Sequence, residues 1–353
     1  MPAPTEDAAL ETLFLPFAEA RLPWPEDGAL FLRARDGAPL HQRPLPGLVC
    51  EQSFKPDADA LRRAGMQIST EEGDSYPLVL ILPPRQRDEA RALMARAIAA
   101  TKPGGRIIAA VSNNEGARSS EGDLARLAGP VETMAKNKCR VFWTAPLQGA
   151  ADLSLAERWR ELDAVRPIIE GRFMSRPGVF AWDRIDLASA LLAANLPAHL
   201  AGRAADLGAG FGYLSAELLT RCPKITKLDL YEAEARALDL ARRNLSAFES
   251  RVELKYHWHD VTTGLSHTYD VIVMNPPFHT QSRLERPDVG RRFIAAAAQA
   301  LNAGGRLWLV ANRHLPYEAV LNDAFGRVRI VAQQSGFKII EAIKAPRDTG
   351  RTR

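Results

Sequence analysis

The chain has 353 residues, 46% hydrophobic and 25% charged, enough for two ordinary cores and outside the composition of a disordered protein. A net charge of +4 leans only mildly toward polyanions, and the scattered Cys50, Cys139 and Cys222 exclude a disulfide framework and a clustered zinc site. The acidic start, Met1-Pro2-Ala3-Pro4-Thr5-Glu6-Asp7, has no signal-peptide layout, and no apolar run is long enough to span a bilayer, so a cytoplasmic protein is expected.

In chain order, the first clear element is an apolar strand in Tyr76-Pro77-Leu78-Val79-Leu80-Ile81-Leu82-Pro83-Pro84, stopped by two prolines. A helix follows from Asp88 to Ala100, then Gly104-Gly105-Arg106 as its cap, then a strand from Ile107 to Val111. The second half repeats this order. Tyr269-Asp270-Val271-Ile272-Val273-Met274-Asn275-Pro276-Pro277 leads to a helix from Asp288 to Leu301, then Gly304-Gly305-Arg306 and a strand from Leu307 to Val310. Two such βαβ units predict two tandem doubly wound (Rossmann-like) α/β domains, 1–160 and 161–353.

The halves differ where chemistry would sit. Asp206-Leu207-Gly208-Ala209-Gly210-Phe211-Gly212 reads as a strand end, a glycine turn and a helix start. Its spacing is G-x-G-x-G and not the pyrophosphate-binding G-x-G-x-x-G. A carboxylate at Asp206 would repel a pyrophosphate but suits a cationic ligand such as S-adenosylmethionine. In the first half the corresponding region, taken as Glu51 to Asp74, holds only Gly65 and Gly73, so that half is read as degenerate, with its cofactor site lost.

Beyond the glycine turn, a strand from Ile225 to Tyr231 ends at Glu232, where a carboxylate can grip a ribose diol or favour the next helix N-terminus. The third strand, Arg251 to Trp258, ends at His259-Asp260, and Asp260 is placed to accept from an adenine amine. His257 and His259 share a side of that strand, but no third ligand is spaced to join them, so no metal is expected.

Asn275-Pro276-Pro277-Phe278 is the most specific signal. An aromatic exocyclic amine is a weak nucleophile because its lone pair is delocalised. A site that accepts both N–H hydrogens localises that pair and stabilises the charge that grows on nitrogen during methyl transfer. The Asn275 side chain and the Pro276 main chain supply two carbonyls, the prolines stiffen the turn, and Phe278 offers a face for stacking. The polar stretch from His279 to Gly290, with Arg283 and Arg286, is either a loop that closes over the acceptor or an inert surface loop.

With these residues in place, the second half resembles the ribosomal RNA guanine-N2 methyltransferases, most closely those of the small subunit. The likeness runs from Arg176-Pro177-Gly178-Val179-Phe180 through the glycine turn and Asn275-Pro276-Pro277-Phe278 to Gly304-Gly305, Asn312 and Leu315-Pro316-Tyr317, ending near Lys344. It implies two class I methyltransferase-like domains, of which only the C-terminal one binds cofactor. It also implies that Asp206, Gly208, Gly210, Glu232, Asp260 and Asn275 hold S-adenosylmethionine, and that Asn275 to Phe278 hold the guanine. The N-terminal domain is then expected to aid folding and grip RNA, in a chain able to act as a monomer. Glu232 departs from the aspartate common in the family. Three alternatives stay open: a large-subunit guanine enzyme, an N6-adenine or glutamine N5 methyltransferase, and an RNA-binding assembly factor on a methyltransferase scaffold.

Overall fold

The computed structural model describes residues 7–69, 73–149, 151–277 and 287–346. The chain divides into two compact units at Ala164/Val165.

The N-terminal unit contains β1 (Ala29–Leu32), β2 (Leu48–Glu51), β3 (Gln67–Ile68), β4 (Tyr76–Ile81), β5 (Thr101–Ser112), β6 (Val131–Lys136) and β7 (Cys139–Thr144) in the order β3-β2-β1-β4-β5-β7-β6. Its helices are α1 (Ala8–Leu13), α2 (Leu15–Ala18), α3 (Lys55–Arg63), α4 (Arg87–Ala99), α5 (Ala117–Ala128) and α6 (Leu153–Arg160).

The C-terminal unit opens on a hairpin, β8 (Arg166–Ile168) and β9 (Phe173–Ser175), and helix α7 (Leu187–Asn195). Then come β10 (Ala201–Leu207), α8 (Tyr213–Arg221), β11 (Lys224–Glu232), α9 (Ala235–Leu245), β12 (Glu253–Trp258) and β13 (Tyr269–Met274). The unit closes with α10 (Pro287–Ala300), β14 (Leu301–Asn312), α11 (Glu318–Ala324), β15 (Arg327–Gln334) and β16 (Phe337–Ile343). Its sheet, β12-β11-β10-β13-β14-β16-β15, repeats the order of the first, parallel except for the final antiparallel hairpin. The expected duplication of two doubly wound domains is therefore present.

Alternation along the central strands explains why both faces carry helices. On β13, Val271 and Val273 pack into one core with Leu192, Leu218 and Leu238, while Ile272 and Met274 pack into the other with Ile294. Side chains two apart share a face, so a strand apolar at every position must be covered on both sides. On α9 the buried positions Ala237, Leu238, Leu240, Ala241 and Leu245 make one apolar stripe.

Two expectations need correction. The glycine pairs do not cap helices. Helix α4 ends on Ala100 at φ −87°, and Gly104 (φ +79°) and Gly305's counterpart Gly105 lie beyond it, inside the span of β5, where the pairing with β4 skips residues. A Cβ on Gly105 would meet the backbone carbonyls of Lys102 and Pro77 at 2.9 Å, and one on Gly305 that of Asn302 at 2.8 Å. The pair therefore serves a tight bulge that brings backbone against backbone. The second correction concerns the counterpart of the glycine turn. By strand pairing Leu32 occupies the place of Leu207, so the counterpart begins at Arg33 and not in Glu51 to Asp74. Strand β1 is only four residues long, too short to announce itself.

What fills that counterpart is informative. Arg33 stands at φ +56° where Gly208 stands at φ +77°, and its guanidinium reaches Glu89 of α4 at 3.0 Å. The side chain of Gln52, in the place of Glu232, donates to the Ala34 carbonyl at 2.7 Å. An ion pair and an amide thus occupy the ground that the other unit keeps for glycines.

Candidate active site

The sheet order reverses between β10 and β13, and in such sheets the crevice beyond the strand ends is where ligands bind. Leu207 and Met274, the last residues of these strands, are register partners, so the glycine turn and Asn275 emerge side by side.

Gly208, Gly210 and Gly212 have φ of +77°, +55° and +90°, which lets the chain pass from β10 into α8 within five residues. The amides of Gly208 and Ala209 donate to the Tyr231 carbonyl at 2.8 and 3.1 Å, and that of Gly210 donates to Glu232 Oε2 at 2.7 Å. A Cβ on Gly210 would meet nothing within 4 Å, so the turn is open on that side.

Asp206 is 1% exposed. Its Oδ2 accepts from Ser215 Oγ at 2.7 Å, while Oδ1 has no hydrogen-bond partner among the described residues. Burial pushes the Asp206 carboxyl up to about 7, with the Glu232 carboxylate adding to the rise and the Ser215 hydroxyl opposing it. A buried acceptor left unpaired beside an open glycine turn fits a cationic ligand group, which would restore its charge and complete its bonding.

Glu232 spends Oε2 on Gly210 and Oε1 on the Glu234 amide at 2.8 Å. Burial raises its carboxyl, against these two bonds. Asp260 caps the turn that follows it, Oδ1 accepting from the Thr262 amide at 2.9 Å and hydroxyl at 2.7 Å.

Asn275 is half-buried, Pro276 buried and Pro277 exposed. The Asn275 Nδ2 donates to Asp186 Oδ2 at 2.9 Å and to Ser189 Oγ at 2.8 Å. Both amide hydrogens are therefore spent, and Oδ1 is the remaining polar end of the side chain. A cleft gathers Gly208, Gly210 and Asn275 with Asp186, Ser189 and the exposed ring of Phe180. Asp206, Glu232, Asp260 and the two prolines do not line it; Glu232 reaches it through the Gly210 amide. Phe278, Arg283 and Arg286 lie outside the described residues, and Gly290 falls within α10.

The two histidines have other partners. His257 stacks on Tyr231 with ring centres 4.4 Å apart and approaches Asp229 at 3.3 Å, and His259 bonds the Gly264 carbonyl at 2.7 Å. Among the described residues no three metal-ligating side chains converge.

Sequence reasoning missed Asp186 and Ser189. The spacing Asp186-Leu187-Ala188-Ser189 before an apolar run is a helix-start signal, and the Ser189 amide does donate to Asp186 Oδ2 at 2.8 Å. Nothing local could announce the contact to Asn275.

A family model described as the methyltransferase small domain matches residues 170–341. A ribosomal RNA small subunit methyltransferase C of Salmonella newport is 30% identical over 261 residues, covering 74% of this chain and 73% of its own. Its counterpart in Erwinia tasmaniensis is 31% identical over 264 residues, covering 74% of each. The chain belongs to the ribosomal RNA small subunit methyltransferase C family. As a member it is a methyltransferase, and its glycine turn, Glu232 and Asn275 all lie within the matched methyltransferase domain. The solved 16S rRNA N2 methyltransferase of T. thermophilus superposes with a TM-score of 0.78 at 24% identity, covering 96% of this chain and 92% of the other. That likeness extends the family fold over both units, so the N-terminal sheet is part of the shared architecture. No helix among the described residues is long and apolar enough to cross a membrane.

Proposed function

We propose that this protein uses S-adenosylmethionine to methylate the exocyclic N2 amine of a guanine in 16S ribosomal RNA, with Asn275 as the residue that receives the amine. The orientation of the Asn275 amide carries this reading: its nitrogen is held by Asp186 and Ser189, so its carbonyl is the end left for an N–H donor. The family's members are named as small-subunit rRNA methyltransferases, and the T. thermophilus protein was solved with AdoMet and guanosine, which supports the choice of cofactor and base.

Gly208, Gly210 and the turn between them would hold S-adenosylmethionine, which when bound would supply an electrophilic methyl group with a neutral thioether as the leaving group. Asp206 Oδ1, in its ionised form, balances the positive charge of the cofactor. Gly208 and Gly210 leave room for close approach of the ligand to the backbone. Glu232 fixes the Gly210 amide and Asp260 stands at the end of β12 for the adenosine portion. At the acceptor, the carbonyls of Asn275 and Pro276 accept the two amine hydrogens and stabilise the cationic nitrogen as the methyl arrives. No base is required in that step, because the surplus proton leaves for water afterwards. Phe278 is assigned the stacking face on its sequence context alone.

In this proposal residues 1–160 form the degenerate copy, which supports folding and RNA contact, and 161–353 form the catalytic domain. The Arg33–Glu89 pair supports the degeneracy. The enzyme works as a cytoplasmic monomer, and its three buried free cysteines suit a reducing compartment. The test is incubation with methyl-labelled cofactor and ribosomal subunits, followed by digestion and nucleoside analysis. N2-methylguanosine from small-subunit RNA is expected; label in adenosine, in large-subunit RNA or in protein would overturn the acceptor.

A further inference from the structure

The acceptor side chain is built into a clamp. Asp186 is the N-cap of α7, and its Oδ2 receives both the Ser189 amide at 2.8 Å and Asn275 Nδ2 at 2.9 Å. Ser189, itself 9% exposed, turns its hydroxyl to the other amide hydrogen of Asn275 at 2.8 Å. A carboxylate only accepts, so Asp186 decides which end of the Asn275 amide is nitrogen. Without it the amide could rotate by half a turn and offer N–H to an amine that also offers N–H, replacing attraction with repulsion.

We infer that Asp186 and Ser189 are positioning residues for methyl transfer, which lock the Asn275 carbonyl toward the acceptor amine and polarise it. A hydrogen bond from the amide to an ionised carboxylate draws positive charge to the nitrogen end and leaves Oδ1 a stronger acceptor. That strengthening matters most where positive charge grows on the amine, so it acts on the rate more than on binding. The first turn of α7 supplies the rigidity, since the carboxylate is already tied to the backbone of that helix. The inference rests on the reading of Asn275 as the amine acceptor.

The test compares Asp186→Ala, Ser189→Ala and Asn275→Ala, and the two double variants with Asn275→Ala, in single-turnover methylation of small subunits at saturating cofactor, with cofactor Kd measured by calorimetry. Asp186→Ala should slow methyl transfer by about 10- to 100-fold and Ser189→Ala by roughly 3- to 10-fold, with Kd changed by less than about 3-fold. Asp186→Asn should recover part of the rate, because its amide oxygen can take the place of Oδ2. Each double variant should be no slower than Asn275→Ala, to within about 2-fold, because the clamp acts only through Asn275. Losses that multiply in the double variants, or wild-type rates in both clamp variants, would overturn the inference while leaving Asn275 in its role. A wild-type rate in Asn275→Ala would instead remove the acceptor reading and the clamp with it. Should Asp186→Ala not fold for want of its cap, the Ser189 pair of variants decides the matter alone.

Discussion

Asp206 and Ser215 meet at 2.7 Å where β10 runs into the glycine turn, and the meeting leaves one oxygen of the carboxylate buried without a partner among the described residues. The strand places the acid, the first turn of α8 places the hydroxyl, and burial holds the carboxyl up to about 7. In the free protein the folded state therefore binds a proton that the unfolded chain, at an ordinary 3.8, has released. Stability from this group is present at low pH and is lost as pH rises from about 4 to about 7.

Cofactor binding should run the other way. A cationic ligand favours the ionised carboxylate, so its Kd should fall about tenfold between pH 6 and pH 8, following the ionised fraction of a group at about 7. Calorimetry across that range would show it. Asp206→Asn should bind more weakly at pH 8 and lose the slope; an unchanged slope in that variant would assign the proton elsewhere.

Glu232 should tolerate no amide. Both of its oxygens receive backbone N–H groups, from Gly210 and Glu234, and Glu232→Gln would point its NH2 at one of those donors. The variant should bind S-adenosylmethionine about 10- to 100-fold more weakly, on the scale of a lost charge-assisted bond. At saturating cofactor its methyl-transfer rate should be close to that of the wild type.

Two glycines should fail for different reasons. Gly208→Ala meets no atom closer than 3.6 Å but must hold φ +77°, so it should cost about 1–2 kcal/mol of stability while sharply weakening cofactor binding. Gly305→Ala would meet the carbonyls of Asn302 at 2.8 Å and Tyr269 at 3.1 Å, which the sheet cannot move aside. It should cost about 2–3 kcal/mol in urea unfolding and leave cofactor affinity alone where folded.

In the N-terminal unit, Arg33→Ala removes a partner of Glu89 at the counterpart of the glycine turn, with the Glu89 side chain 7% exposed. Unfolding should become easier by about 2 kcal/mol, discounted for the partly exposed arginine. Calorimetry should still give one S-adenosylmethionine per chain at unchanged affinity. A second site in the variant would mean that the N-terminal copy had kept more than its fold.

Structure carried by short segments was legible in the sequence. The glycine turn after β10, Glu232 at the end of β11 and Asn275-Pro276-Pro277 after β13 each declare their places within a few residues, and the matching Tyr76 and Tyr269 strands disclose the repeated architecture. Relationships that depend on tertiary closure were not. Asp186 and Asn275 are 89 positions apart, and each looks complete by itself, one as a helix cap and the other as a strand end. Arg33 follows directly on a strand of four residues, and an arginine at positive φ leaves no trace in sequence. The glycine pairs misled for a physical reason as well: a glycine after a helix reads as a cap, and only the carbonyls closing on Gly105 and Gly305 reveal a bulge.

The most direct test of the central claim is the single-turnover rate of methyl transfer to small-subunit RNA in Asn275→Ala, with cofactor Kd measured on the same sample. Loss of a preorganised acceptor at the reacting nitrogen predicts a rate lower by about 10²- to 10³-fold with Kd changed by less than about 3-fold. A rate close to that of the wild type, or a loss accounted for by cofactor binding alone, would contradict Asn275 as the residue that receives the amine.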